Sequence, residues 1–177
     1  MIQKSPVLKR GFLIPLLLFA LTIVDLCMSR KRLYMLLLTL KSKLFGGMSI
    51  FSKIIAGEIP SYRIAENDKF YAFLDIFPLT EGHTLIVPKQ EIDKFFDVPD
   101  EYLGELLVFA KPIAKAMEAA FPCNRVGLSV IGLEVPHAHL HLVPINSADD
   151  LNFTRPKLKL TEEQMKAAQQ KILSRLN

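Results

Sequence analysis

Three of the chain's four histidines occur at alternate positions in one short segment, as His137, His139 and His141. The residues between them are apolar, and such alternation predicts a β-strand with one polar and one apolar face. The three imidazoles would then share one face. The fourth histidine, His83, lies in a separate segment, Gly82–Lys89. This concentration of histidine is the strongest indication of function in the sequence.

Histidine in such a row suits chemistry at phosphorus. An unperturbed imidazole pKa of about 6.5 lets one ring act as an unprotonated nucleophile while a neighbouring ring donates a hydrogen bond. Donors that point at developing phosphoryl charge usually make the largest contribution to catalysis. The row is therefore a candidate site for nucleophilic attack on a phosphate group.

A metal site is the alternative, because imidazole is the commonest metal ligand. Side chains on one face of a strand lie about 6.5–7 Å apart, so the outer two rings would be separated by about 13 Å. Zinc–nitrogen bonds of about 2.0–2.1 Å cannot span that distance. Two adjacent rings with His83 could hold one ion, but Cys27 and Cys123 form no Cys-x-x-Cys pair. We predict no metal and no cofactor, and keep a histidine-ligated metalloprotein as an alternative.

The segment Pro136–Val143 resembles the His-x-His-x-His-x-x signature, with apolar x, of the histidine triad (HIT) nucleotide hydrolases and transferases. Three upstream segments are similar to the opening blocks of that family in the same order, namely Ser49–Pro60, Phe73–Pro78 and Gly82–Lys89. Together the four segments span Met48 to about Ile145. The chain resembles the HINT-like branch of the family.

The resemblance implies a role for each histidine. His139 would be the nucleophile and would form a nucleotidyl-histidine intermediate that water hydrolyses. His141 would contact the phosphate. The backbone carbonyl of His137 would hold the other ring nitrogen of His139, and His83 would support His137 from behind.

The resemblance also implies a purine nucleotide substrate, cleaved at the α-phosphate of a phosphoramidate or a dinucleoside polyphosphate. Asp75 would bind the ribose hydroxyls, and Ser129 takes the place of an Asn that many members carry on the preceding strand. Apolar side chains would form the walls of the purine pocket, namely Ile50, Phe51, Ile54, Phe73 and Ile76.

Two residues depart from the family pattern just before the triad. Gly132 is followed by Leu133 and Glu134, where the family usually has Gln and a small polar residue. The change removes a hydrogen-bond donor and adds a negative charge. A nucleotide-binding regulatory or interaction protein with weak catalysis is therefore a further alternative.

The order of the predicted elements favours an α+β fold with a five-stranded antiparallel sheet, one long helix and one C-terminal helix. The resemblance implies a homodimer whose two sheets join edge to edge into one continuous sheet. The connector Asn146–Leu160 could reach the site and set specificity, or be a surface loop. The predicted elements are a short helix near Ser49–Ala56, strands near Ser61–Glu66, Phe70–Asp75, Thr84–Val87, Arg125–Val130 and Ala138–Ile145, a long helix from Asp100 to before Pro122, and a final helix within Thr161–Leu176.

Residues 1–47 differ from the remainder in charge. They hold eight Lys or Arg against Asp25 alone and carry +7, so with +4 for the whole chain residues 48–177 carry −3. A net negative domain gives no support to nucleic-acid binding. We predict a HIT-like domain over residues 48–177 and a cytoplasmic location.

The first 47 residues form a basic, apolar extension. Gly11–Met28 is almost entirely apolar and is flanked by basic residues, which is compatible with a membrane segment or anchor. Pro15 and Asp25 interrupt it, and Met48 directly opens the HIT-like region. A wrongly assigned start, with the natural protein beginning at Met48, is therefore our hypothesis, and membrane anchoring is the alternative.

Overall fold

The computed structural model describes residues 48–176. The division at residue 47 and the two interpretations of residues 1–47 lie outside the described residues and stay predictions. Within residues 48–176, every helix is too short or too polar to cross a membrane.

Five antiparallel strands form one sheet in the order β1-β2-β3-β5-β4. The strands are β1 Arg63–Glu66, β2 Phe70–Leu74, β3 Thr84–Pro88, β4 Arg125–Ser129 and β5 Leu140–Ile145. β5 pairs with β3 on one side and with β4 on the other, whereas β1 and β4 are edge strands. The predicted five-stranded antiparallel sheet is confirmed, and the triad histidines lie along an interior strand and the turn before it.

Three α-helices accompany the sheet within residues 48–176, namely α1 Ile50–Ile55, α2 Asp100–Ala120 and α3 Glu162–Leu173. The Ser49 side chain caps α1 by accepting from the backbone N–H of Ser52. The N-terminus of α3 carries a capping box between Thr161 and Gln164. Both predicted larger helices are therefore confirmed.

One face of the sheet packs against α2 and α3. Leu140 and Leu142 of β5 are buried in this core with Leu106 and Ile113 of α2 and Ile172 of α3. Because successive side chains of a strand point to opposite faces, His141 points away from this helical layer. The core therefore fixes which face of β5 carries His141.

The start of β5 differs from the sequence prediction. The strand begins at Leu140, not at Ala138, because the backbone N–H of Ala138 donates to the Ile92 carbonyl at 2.6 Å instead of joining the sheet ladder. The prediction that all three histidines lie on one strand was therefore wrong. His137 and His139 lie in the turn before the strand, and His141 lies in the strand itself.

Gly82 allows the chain to enter β3 beside His83. Its φ is +86°, and an added Cβ would lie 2.2 Å from the Phe121 ring. We expect Gly82→Ala to lower the free energy of unfolding by about 2–4 kcal/mol, through backbone strain and overpacking. Gly104, in α2, has open space around its Cα, so Gly104→Ala should raise stability by about 0.5–1 kcal/mol. Urea unfolding of both variants tests this, and equal effects would contradict it.

Candidate active site

All four histidine rings are buried, with exposed fractions of 1% for His83, 0% for His137, 6% for His139 and 7% for His141. Burial is the largest influence on each ring and lowers its pKa below the usual value, for His141 to about 2. Each ring is therefore neutral at neutral pH and carries one ring proton. The hydrogen-bond partners determine which nitrogen holds it.

His139 holds its proton on the nitrogen that faces its own backbone. Its Nδ1 lies 2.6 Å from the carbonyl oxygen of His137. A carbonyl can only accept, so Nδ1 donates and Nε2 keeps a free lone pair. The contact expected from the resemblance is present, and it leaves His139 in the tautomer that a nucleophile requires.

His83 and His141 form a directed pair. The backbone N–H of Leu79 donates to His83 Nδ1 at 3.1 Å, so the proton of His83 is on Nε2. That Nε2 lies 3.0 Å from His141 Nδ1, which must accept, so His141 carries its own proton on Nε2. Among residues 48–176, His141 Nε2 is the buried side-chain polar atom without a hydrogen-bond partner. The ring centroids of His139 and His141 lie 4.8 Å apart, so an unpaired N–H donor lies beside the His139 ring.

The expected support of His137 by His83 was wrong, because His83 bonds to His141 instead. The antiparallel register explains the difference. β3 pairs Leu85 with His141, so the beginning of β3 lies beside the interior of β5. His137 is beside the other end of β3, where its Nε2 donates to the Pro88 carbonyl at 2.8 Å.

Asp75 lies next to the His83 ring. Its Oδ2 is 3.5 Å from His83 Nδ1, and its Oδ1 accepts from the backbone N–H of Phe77 at 2.8 Å. The carboxylate favours a charged His83, but burial has the larger effect and the pKa of His83 is lowered. The side chain is 19% exposed, so one edge remains reachable from solvent. Its role in ribose binding stays a prediction.

The metal alternative has one candidate cluster among the described residues. Asp75, His83 and His141 each offer a ligand atom, and these atoms lie within 4.8 Å of one another. However, both ring nitrogens of His83 already have partners, the Leu79 N–H on one side and His141 on the other. An ion bound to either ring nitrogen of His83 would break at least one of these hydrogen bonds. The arrangement therefore favours a hydrogen-bonded relay over a metal centre.

An aromatic wall borders the triad. The Phe51 ring packs edge-on against His139, with centroids 5.2 Å apart, and against Phe73 at 5.5 Å. The other predicted purine-pocket residues differ in burial. Ile50 and Ile54 are buried, whereas Ile76 is 40% exposed. Ile54 also borders a surface cleft of about 530 Å³ that contains no triad histidine. The base-binding role of these side chains stays a prediction.

The connector Asn146–Leu160 contacts the histidine site, which is one of the two arrangements expected from the sequence. The Phe153 ring lies 4.7 Å from the His141 ring and 6.3 Å from the His83 ring. Lys157 Nζ donates to the Phe153 carbonyl at 2.9 Å and lies 4.9 Å above the Phe153 ring. Its charge adds to the effect of burial in lowering the pKa of His141. No periodic pattern marks Phe153 or Lys157 in the sequence, so both were missed.

The two residues that depart from the family pattern are exposed to solvent. Leu133 is 82% exposed, and Glu134 is exposed beside it. The Glu134 carboxylate acts on His139 in the direction of a higher pKa, although burial outweighs it. Ser129 is half-buried and is the register partner of His141 across β4 and β5.

The family is established by comparison with known proteins. A family model described as HIT domain matches residues 56–148, more than half of the chain. The chain belongs to the HIT family. It is 45% identical over 96 residues to adenosine 5′-monophosphoramidase HNT1 of Saccharomyces cerevisiae, an alignment covering 54% of this chain and 61% of that protein. A corresponding Candida albicans protein of the same name is 38% identical over 104 residues, which are 54% of this chain and 68% of that protein.

Solved structures agree with the fold. A Hit-like protein from Bartonella henselae superposes with a TM-score of 0.63 at 30% identity, covering 72% of this chain and 96% of that one. A histidine triad nucleotide-binding protein from Candida albicans gives a TM-score of 0.52 at 32% identity, over 64% of this chain and 82% of that one. The predicted HIT-like architecture and HINT-like relationship are thereby confirmed.

Four buried neutral histidines should make stability fall in mild acid. Their folded pKa values lie below the unfolded value of about 6.5, so the unfolded state binds more protons as the pH falls through 6.5. Between pH 7.5 and 5.5 we expect the free energy of unfolding to fall by about 1.4 kcal/mol in total for each ring that stays neutral in the folded protein. Urea unfolding between pH 7.5 and 5.5 measures the slope, above the range in which carboxylates titrate. A His141→Asn variant has one histidine fewer, so its free energy of unfolding should fall less with acid than that of the parent, by about one quarter. Stability of the parent that does not change over this pH range would contradict four buried neutral rings.

Proposed function

We propose that the domain hydrolyses purine nucleoside 5′-phosphoramidates, or dinucleoside polyphosphates, at the α-phosphate through a nucleotidyl-His139 intermediate. One observation carries the proposal. His139 Nε2 has a free lone pair, and the adjacent His141 ring has an Nε2–H without a hydrogen-bond partner. Membership of the HIT family and relatives named adenosine 5′-monophosphoramidase support it.

In the first step, His139 Nε2 attacks the α-phosphorus, and the bond from phosphorus to the leaving group breaks. The Nε2–H of His141 donates to a phosphoryl oxygen on which charge develops. For a phosphoramidate, the departing amine takes a proton from solvent. In the second step, water attacks the same phosphorus and gives up a proton to solvent, the bond to His139 Nε2 breaks, and a nucleoside monophosphate and the neutral ring are released.

Attack makes the His139 ring cationic, and three groups around it stabilise that charge. The His137 carbonyl accepts its Nδ1–H, and the carboxylates of Asp75 and Glu134 favour the positive ring. Burial keeps the free ring neutral, so this stabilisation is used only once the phosphorus–nitrogen bond forms. Glu134, which departs from the family pattern, thereby assists the cationic intermediate.

The nucleoside would lie between the triad and the aromatic wall. The partly exposed Asp75 carboxylate can accept from ribose hydroxyls, and the base would pack among the predicted apolar side chains. These side chains are Ile50, Phe51, Ile54, Phe73 and Ile76. Ser129, half-buried beside His141, would contact the phosphate side of the nucleotide.

A homodimer completes the proposal. β4 is an edge strand with Leu128 49% exposed, and the exposed side of α2 carries Leu107 and Val108, 53% and 72% exposed. Pairing of two such edges would extend the sheet and cover these apolar side chains. A cytoplasmic location, or anchoring through residues 11–28, likewise stays a prediction.

Hydrolysis of adenosine 5′-phosphoramidate by the full chain, without added metal, tests the function. We expect turnover in the parent and a fall of about 10³-fold or more in His139→Ala, because the nucleophile is removed. Phe96→Ala, at a side chain 88% exposed, should leave the rate unchanged. Equal rates in His139→Ala and the parent would refute the mechanism. Nucleotide binding without turnover in the parent would support the regulatory alternative.

A further inference from the structure

A second hydrogen-bonded cluster lies behind His137, on residues without a role in the proposed reaction. The Ser49 hydroxyl is 2.8 Å from His137 Nδ1, and the Ser52 hydroxyl is 3.5 Å from the same atom. The Glu91 carboxylate accepts from the Ser49 backbone N–H at 3.0 Å and from the Ser52 hydroxyl. Ser49 and His137 are almost completely buried, at 1% and 0% exposed. Ser49 is the N-cap of α1 and Ser52 lies within it, whereas Glu91 follows β3 and His137 precedes β5.

The proton positions in this cluster follow from one fixed end. The Pro88 carbonyl can only accept, so His137 holds its proton on Nε2 and its Nδ1 accepts. The Ser49 hydroxyl therefore donates to Nδ1, while its oxygen accepts from the backbone N–H of Ser52 at 3.1 Å. The Ser52 hydroxyl is then free to donate to Glu91. Every donor has an acceptor, and the network ends in a carboxylate.

Glu91 is charged when His137 is neutral. Burial raises the pKa of Glu91, but the hydrogen bonds from Ser52 and Ser49 outweigh it and lower that pKa below its usual value. The opposite balance holds at His137, where burial lowers the pKa by more than Glu91 raises it. The direction of the hydrogen bonds is therefore the same throughout the neutral pH range.

This cluster holds His137 in place, which the hydrogen bonds of the sheet do not do. Because β5 begins at Leu140, the carbonyl of His137 is not held by a strand ladder, although it accepts the Nδ1–H of His139. The His137 ring is anchored instead, by Ser49 on one nitrogen and by Pro88 on the other. Rotation of the ring would leave a buried hydroxyl and a buried ring nitrogen unpaired, which is costly.

We propose that Ser49, held by Ser52 and Glu91, is a positioning residue that fixes His137 and thereby aims the nucleophile His139. The inference rests on the proposed function for its kinetic consequence. The tautomer of His137 does not depend on turnover. Removal of the Ser49 hydroxyl should loosen the His137 carbonyl and misdirect His139 Nε2, while the nucleoside contacts stay in place.

Steady-state hydrolysis of adenosine 5′-phosphoramidate by the full chain is the first measurement. Ser49→Ala should lower kcat by about 10- to 100-fold with little change in KM, because a small misplacement of a reacting group strongly lowers the rate of the chemical step. Ser49→Thr keeps the hydroxyl and should restore the rate. Ser49→Gly also lacks the hydroxyl but is better tolerated at a helix N-cap, so it should repeat the loss in a folded protein. Ser61→Ala is the control. It removes a serine hydroxyl that forms a hydrogen bond of 3.0 Å with the Tyr71 hydroxyl, and it should leave kcat unchanged.

Nitrogen-15 NMR of the histidine rings in the same full-length variants is the second measurement. The parent should show His137 protonated on Nε2, and Ser49→Ala and Ser49→Gly should shift the Nδ1 resonance of His137 while the His83 resonances stay in place. A kcat equal to the parent in both variants would overturn the proposal, as would an unmoved His137 Nδ1 resonance. A parent without turnover would refute the proposed function instead, and the resonances would still decide whether Ser49 fixes the His137 ring.

Discussion

An imidazole ring shielded from water carries one proton, and in this domain the surrounding hydrogen bonds decide which nitrogen holds it. The carbonyls of His137 and Pro88 and the N–H of Leu79 are fixed partners that set the tautomers of three rings. The fourth tautomer, that of His141, follows from the bond to His83. One free lone pair and one unpaired N–H then lie side by side. The chemistry therefore depends on backbone groups as much as on the histidines.

The same burial makes the site costly to maintain. Neutral buried rings bind fewer protons than they would in the unfolded chain, so the fold loses stability as acid charges the unfolded state. A positive charge on His139 is disfavoured in the free protein for the same reason. The carboxylates near His139 favour that charge from a distance without protonating the resting ring. The carboxylates therefore offset part of the cost that burial imposes on a charged His139.

The sequence predicted the elements better than the contacts between them. Alternation predicted the strands, and the final helix was predicted within Thr161–Leu176, where α3 lies. The alternation also continues through His137, although the backbone there turns to Ile92, so the start of β5 was placed too early. The partner of His83 depends on the register between β3 and β5, which no local pattern encodes.

Two other groups could not be found from the sequence, for different physical reasons. Phe153 lies in a connector without hydrophobic periodicity, and only the folded chain brings its ring onto His141. Ser49 caps α1, which is a local role. Its hydroxyl also forms a hydrogen bond with His137, which lies 88 positions later in the sequence. A side chain that serves both a local cap and a distant ring gives only the local signal in sequence. Contacts of this kind depend on the tertiary fold.

The most direct test of the nucleophile is rapid quenching of the full chain during turnover of an adenosine 5′-phosphoramidate, followed by peptide mapping of the trapped adduct under alkaline conditions. The hydrogen bonds predict an adenylyl group on His139, and no adduct in His139→Ala. An adenylyl group on His141 or His137 would contradict the assignment of the lone pair. Turnover in the parent without any trapped covalent adduct, under conditions in which a phosphohistidine standard survives, would contradict the covalent route.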